Sequence, residues 1–210
     1  MTAVTPDTEQ LVKQARLGDY QAREQLLTRH RDRLRRMVAV RLDRRLAARI
    51  DPSDVVQETL VEAAHNLSDY LQERPLPFYP WLRRLAWERL VKLHRRHVKT
   101  HMRSVTRESP GSLPLPDESA LELANRVAGP GTSPSNQLAR AEEHARVQAA
   151  LEAISERERE VLVMRYLEQL STKEIAAALG INVGAVRTRH LRALDHLRRL
   201  LSDPQSESRA

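Results

Sequence analysis

Three histidines, His94, His97 and His101, have the spacing to share one side of a helix, an arrangement that can hold a divalent metal. They are interleaved with Arg95, Arg96, Lys99 and Arg103, whose charges would repel the cation, so no metal site is expected. The 210 residues contain no Cys, which removes disulfide scaffolds, thiolate metal sites and cysteine nucleophiles. No catalytic constellation is left, and neither an enzyme nor a bound cofactor is expected. The remaining chemistry is recognition by cations, carboxylates and aromatic rings.

The chain is basic, with 35 Lys and Arg against 28 Asp and Glu, but the placement of the charge says more than its sum of +7. Nine arginines from Arg29 to Arg49 face only Asp32 and Asp43, and nine Lys or Arg from Arg83 to Arg107 face only Glu88. Between these blocks, Asp51, Asp54, Glu58 and Glu62 lie in a stretch to Tyr70 without a cation. A third basic block, Arg187 to Arg199, holds five Arg against Asp195. Such runs are most often solvated helix faces, and they need a second signal before they imply a polyanionic partner.

The aromatic residues supply one. Of one Phe, two Trp and four Tyr, five (Tyr70, Phe78, Tyr79, Trp81 and Trp87) fall in a short window that leads into the second basic block. Rings beside a cationic track suit single-stranded nucleic acid, each stacked base contributing roughly 1 to 3 kcal/mol. Phe78 and Trp81 are equally suited to filling the core of a small helical domain.

A second signal lies near the C-terminus. Glu174-Ile-Ala, Leu179-Gly-Ile, Val183 and Val186 have the spacing of a helix-turn-helix, with Gly180 supplying the left-handed backbone of the turn. The second helix carries Arg187, Thr188, Leu191 and Arg192 on the side away from Val186, Leu194 and Leu197. In a major groove, such a face offers Arg to guanine edges and a hydroxyl or aliphatic group to phosphate or a thymine methyl.

The elements that position these residues read as helices throughout, as expected of a core built from Leu, Val, Ile and Ala. Gly18-Asp19 separates a helix over Thr8 to Leu17 from a second running through Leu26, Leu34, Met37, Val38, Leu42 and Leu46. Asp51-Pro-Ser-Asp opens a helix with an N-cap and a first-position proline, leaving Asp54, Gln57, Glu58 and Val61 opposite the apolar face of Val55, Val56 and Leu60. Leu71 to Pro80 reads as a stiff loop and Trp81 to about Arg103 as one long helix. Ser155 to Glu158 and Ser171 to Glu174 are capping-box signatures. The expected architecture is all-α, two small helical domains (8–106 and 138–203) joined by a flexible Pro/Gly/Ser-rich linker (107–137), with a disordered tail (204–210). The linker is compatible with one short helix around Ser119 to Val127. No apolar run approaches the roughly 20 residues of a membrane span, and the first ten residues lack a signal-peptide pattern, so no membrane association and a cytoplasmic location are expected.

Three motifs together resemble the sigma-70 family of RNA polymerase initiation factors. Asp51-Pro-Ser-Asp-Val-Val-Gln-Glu-Thr-Leu-Val-Glu-Ala is similar to region 2.2. Phe78-Tyr-Pro-Trp-Leu-Arg-Arg-Leu-Ala with its basic helix is similar to regions 2.3 and 2.4, and Leu151 to Leu200 to region 4. Regions 2 and 4 without regions 1.1 and 3 resemble the extracytoplasmic-function (ECF) type.

The resemblance implies a factor that binds core RNA polymerase, selects promoters and helps melt the −10 element. Asp51, Asp54, Gln57 and Glu58 would dock on the β′ clamp helices, and region 4 would rest on the β flap. Tyr70, Phe78, Tyr79, Trp81, Arg84, Trp87, Glu88, Lys92, Arg95 and Arg96 would bind the −10 element, single-stranded once opened. Thr172, Lys173, Arg187, Thr188, Leu191 and Arg192 would read the double-stranded −35 element. Trp87, Glu88 and Lys92 depart from the family pattern, which implies an altered −10 preference. The acidic linker would run toward the active-site channel, and any anti-sigma factor would be encoded separately. A transcription activator with a LuxR-like C-terminus is the competing reading, but it leaves the acidic stripe and the aromatic window without a role.

Overall fold

The computed structural model describes residues 7–42, 49–101, 115–128 and 137–202, in two units divided between Pro114 and Leu115. All regular structure among the described residues is helical.

The N-terminal unit contains α1 (Thr8–Arg16), α2 (Tyr20–Arg29), α3 (Arg31–Arg41), α4 (Pro52–His65), α5 (Leu67–Glu73) and α6 (Phe78–His101). Asp7, Asp19 and Asp51 each turn a carboxylate onto an amide of the following helix, supplying acceptors for N–H groups without helical partners. The Ser53 backbone amide, joined by its side chain, holds the exposed Asp51 carboxyl below its ordinary range. The single helix expected from Asp19 onward is divided at His30, whose ring is buried 5.6 Å from Phe78 and 5.5 Å from Tyr79. That contact links residues far apart in the chain, so helical spacing does not reveal it.

The loop expected from Leu71 to Pro80 is largely helical, with only residues 74–77 between α5 and α6. Pro80 is tolerated because the first-turn amides of a helix have no partner to lose. Arg74 ends α5 in the left-handed region at φ 43° and reaches Glu9 of α1 at 2.8 Å. Tyr70 donates its hydroxyl to the Leu76 carbonyl at 3.0 Å, bracing the connection from inside.

The C-terminal unit contains α7 (Asp117–Ala128), α8 (Gln137–Ala153), α9 (Glu156–Leu162), a π-helical turn (Val163–Leu167), α10 (Thr172–Leu179) and α11 (Val183–Ser202). Both capping boxes form, with Ser155 paired to Glu158 and Ser171 to Glu174. Burial alone would raise the Glu158 carboxyl, but hydrogen bonds from Ser155 and His196 outweigh it and hold the group low. Gly180 takes the left-handed conformation, φ 64° and ψ 33°, and Asn182 accepts the Ala185 amide at 2.7 Å to open α11.

The segment read as a flexible linker needs correction over 117–128. Helix α7 packs against α8 and the π-helical turn, with Leu123 fully buried and Ala120 and Ala124 nearly so. Pro and Gly crowd the flanks of this stretch and are absent from within it, which leaves a helix-compatible apolar stripe. Arg126 donates to the Tyr166 carbonyl at 2.7 Å and to Glu122 at 2.6 Å. The flanking parts of the expected linker, 107–114 and 129–136, and the tail from 204 lie outside the described residues. Leu123→Ala should therefore destabilise the unit by about 2 to 5 kcal/mol in chemical denaturation, whereas an undocked helix would show almost no change.

Candidate nucleic-acid interface

Four of the five clustered aromatics form core. Tyr70 stacks on Trp81 with centroids 4.4 Å apart and meets Phe78 edge-on at 5.4 Å. Tyr70 and Tyr79 are 3% exposed, Phe78 1% and Trp81 9%. In this structure these four offer no face to a base: Phe78 and Trp81 take the core alternative, and Tyr70 and Tyr79, expected to contact the −10 element, join them. Burial of large side chains, each contributing roughly 1.5 to 3 kcal/mol, prevails where a small helical unit has few of them. Trp87 alone of the five is only partly buried, with the guanidiniums of Arg41 and Arg83 over its ring at 5.0 and 5.6 Å from the centroid.

Arg84, Glu88, Lys92, Arg95 and Arg96 of α6 are all exposed. Glu88, Lys92 and Arg96, with Arg89, line a cavity of about 150 Å³ against Glu58 and Glu62 of α4. Glu88 was expected to present an acid to DNA, but it accepts a hydrogen bond from Arg84 at 3.0 Å, one turn away. Its repulsion of phosphate is reduced accordingly.

The acidic stripe of α4 is exposed as expected at Asp51, Asp54, Gln57 and Glu58. Inward, α4 buries Val55, Val56, Thr59 and Ala63, and Thr59 satisfies its hydroxyl on the Val55 carbonyl at 2.7 Å. Asp54, Gln57, Glu58, Val61, Glu62 and His65 line a groove of about 810 Å³ that ends on Arg89. Arg89 donates to Glu58 and lies 3.6 Å from Glu62, so one cation of α6 ties down two carboxylates of α4. Sequence reasoning missed Arg89, because its partners lie on another helix and no local spacing signals the pairing. Val61 is 52% exposed within this acidic surround, giving the groove an apolar contact point.

On α11, Arg187, Thr188, Leu191 and Arg192 are all exposed, Leu191 at 66%, while Val186, Ala193 and Leu197 are buried. Lys173 of α10 is exposed as well. Thr172 is half-buried and lines a cavity of about 70 Å³ with Arg165, Arg187 and His190. Arg165 lies within the stretch that resembles region 4 but was given no role, and His190 carried no sequence signal of its own. His190 Nε2 lies 3.2 Å from the Tyr166 hydroxyl, and Arg165 donates to the Leu170 carbonyl at 3.3 Å. Burial, then the nearby Arg165 charge, lowers the His190 imidazole below its usual 6.5. Among the described residues no group of three potential ligands could hold a metal, and the side chains of His97 and His101 lie outside them. No helix among the described residues is long and apolar enough to cross a membrane.

A left-handed glycine turn joining two crossed helices, the second with an exposed Arg-Thr-Leu-Arg face, defines a helix-turn-helix DNA-binding protein. The family descriptions "Sigma-70 region 2" and "Sigma-70, region 4" match residues 26–100 and 144–197. RNA polymerase sigma factor CnrH of Cupriavidus metallidurans is 38% identical over 157 residues, covering 75% of this chain and 76% of that protein. RNA polymerase sigma factor NccH of Alcaligenes xylosoxydans xylosoxydans is 30% identical over 197 residues, 94% of this chain and 96% of the relative. The solved structure of CnrH in complex with the cytosolic domain of CnrY matches at a TM-score of 0.50 and 28% identity, over 91% of this chain and 95% of that one. The chain belongs to the sigma-70 family of RNA polymerase sigma factors, in its ECF type. It acts with core RNA polymerase in promoter-specific transcription initiation, and the activator alternative is not favoured, because the region 2 match covers residues that reading leaves unused. Members of this family are regulators rather than enzymes.

The lowered His190 value has a sign that can be tested. Below about 6.5 the unfolded chain takes up this proton before the folded one, so stability falls as pH drops from 6.5 toward the depressed native value. Denaturation at pH 7.5 and 5.5 should show this loss in the native sequence and a smaller one in His190→Gln.

Proposed function

We propose that the chain divides initiation among three surfaces. The α4 stripe of Asp51, Asp54, Gln57 and Glu58 docks on the β′ clamp helices. Helix α6 receives the −10 element as it opens, through Arg84, Trp87, Glu88, Lys92, Arg95 and Arg96. Helix α11 reads the −35 element through Arg187, Thr188, Leu191 and Arg192, supported by Thr172 and Lys173 of α10, while another face of the same unit rests on the β flap.

The observation that carries this reading is the opposite charge of α4 and α6 within one folded unit. The groove of about 810 Å³ bounded by Asp54, Glu58 and Glu62 suits a basic protein surface and would repel phosphate. The outward face of α6, with Arg84, Lys92, Arg95 and Arg96 exposed, suits the reverse partner. Tyr70, Phe78, Tyr79 and Trp81 then act from beneath, setting where α6 begins and which residues it presents. Melting follows from differential binding: the groups that receive an unpaired base have a partner only in the open state and bias the equilibrium toward it. The complex of CnrH with the cytosolic domain of CnrY supports a separately encoded anti-sigma partner for this chain. The bond-making chemistry belongs to the polymerase, and the chain works in the cytoplasm, where the polymerase is.

Run-off transcription with core polymerase on promoters randomised at both elements tests the assignment. Arg187→Ala should cost roughly 1 to 3 kcal/mol and relax one −35 position, whereas Arg95→Ala should weaken all sequences alike and reduce the salt dependence. Equal effects of both variants on every sequence would refute the readout assigned to α11. Glu58→Arg should lower affinity for core polymerase in the absence of DNA while leaving the circular dichroism spectrum unchanged. Unaltered core binding would remove α4 from the interface.

A further inference from the structure

Helix α7 and the recognition helix α11 are joined through one residue of the π-helical turn. The backbone carbonyl of Tyr166 accepts from Arg126 of α7 at 2.7 Å, while its hydroxyl lies 3.2 Å from His190 Nε2 of α11. The Tyr166 and His190 rings are 5.7 Å apart between centroids. Neither contact is local, since 40 positions separate Arg126 from Tyr166 and 24 separate Tyr166 from His190.

Each end of this connection is held in place. On α7, Glu122 accepts from the other terminal nitrogen of the Arg126 guanidinium at 2.6 Å, Leu123 is fully buried, and Gln148 of α8 donates to Asp117 at 2.9 Å. The chain leaves the π-helical turn through Gln169, in the left-handed region at φ 57°. The last carbonyls of a helix have no partner within it, so a guanidinium donating there is favourable. On α11, His190 follows Arg187 by three positions and lines with it, and with Arg165, the cavity of about 70 Å³. Where the imidazole sits therefore limits where the Arg187 stem can lie.

We propose that α7 is a working part of the −35 reader although it does not touch DNA: through Arg126 and Tyr166 it sets the position of His190, and with it that of Arg187. Arg126, Tyr166 and His190 are thus positioning residues for −35 recognition. The inference rests on the reading of α11 as the surface that takes the −35 element. Helix α7 lies between the two matched segments, 26–100 and 144–197, so the contact ties −35 recognition to the stretch of chain that leads from one reader to the other. The coupling is carried by a continuous set of contacts, Arg126 to the Tyr166 carbonyl and the Tyr166 hydroxyl to His190, rather than by distance alone.

Holoenzyme reconstituted from core polymerase and the full chain is titrated onto two probes, a duplex promoter carrying both elements and a forked −10 template without the −35 element. Arg126→Ala should weaken binding to the first by roughly 2- to 30-fold and leave the second unchanged. The slope of log affinity against log salt should stay as in the native chain, because no phosphate contact is lost. Tyr166→Phe removes the hydroxyl and keeps the carbonyl, and should give a loss confined to the same probe. The double variant should lose no more than the larger single loss, since both break one connection. Arg126→Lys keeps the charge and one donor and should recover part of the affinity; should Arg126→Ala fail to fold, this variant and Tyr166→Phe carry the comparison. Equal losses on both probes, fully additive losses, or no loss from either residue would each overturn the proposal. So would a salt slope reduced by about one, which would make Arg126 a phosphate contact. A native holoenzyme indifferent to scrambling of the −35 element would instead defeat the reading of α11, whereas a −35 preference untouched by these variants defeats this proposal alone.

Discussion

The packing of Tyr70, Phe78 and Trp81 into one cluster is the constraint on which the N-terminal unit's surface depends. Tyr70 ends its reach on the Leu76 carbonyl, fixing the short connection before α6, and Phe78 and Trp81 then set the rotation of that helix. A helix rotated by one residue turns its side chains by about 100°, so the cluster decides that Arg84 and Arg95 face outward while Arg89 faces α4. His30 is drawn into the same cluster and breaks the helix that would otherwise run through it. Stability and recognition thus share a cause: the rings that hold α6 are also what aims its cations.

Electrostatics on this unit is arranged by geometry rather than by net charge. Arg89 lies between two surfaces of opposite sign and is bonded to the acidic one, through Glu58 and Glu62. Pairs of this kind at partial exposure contribute little to stability, about 0 to 1 kcal/mol. Their effect is on shape, because Arg89 closes one end of the groove and orders carboxylates that would otherwise repel one another. Arg84 orders Glu88 in the same way, one turn away along α6.

The C-terminal unit depends on a local break in regular backbone. The π-helical turn at Val163–Leu167 interrupts α-helical hydrogen bonding after α9, and the Tyr166 carbonyl accepts from Arg126 of α7. The same turn carries Arg165 and Tyr166, which meet the recognition helix at His190. Helix α7 lies outside the residues of both family matches and contributes a fully buried Leu123 to this unit.

Local signals settled much of this protein from the order of residues alone. The Asp and Ser caps, the left-handed Gly180, the spacing of Ile175, Val186 and Leu197, and the exposed Asp54–Glu58 stripe depend on interactions within a few residues, which spacing records directly. Motif order along the chain was enough to indicate the family. Which aromatics are core and which is only partly buried, which arginines turn inward, and how Arg89 joins α4 to α6 were decided only by tertiary packing. Each of these links residues far apart in sequence, and ring, guanidinium and carboxylate groups carry no periodicity that names a distant partner. The same holds for α7, where proline and glycine at both ends suggested a linker, and only a complementary apolar surface on α8 and the π-helical turn makes Leu123 part of a core.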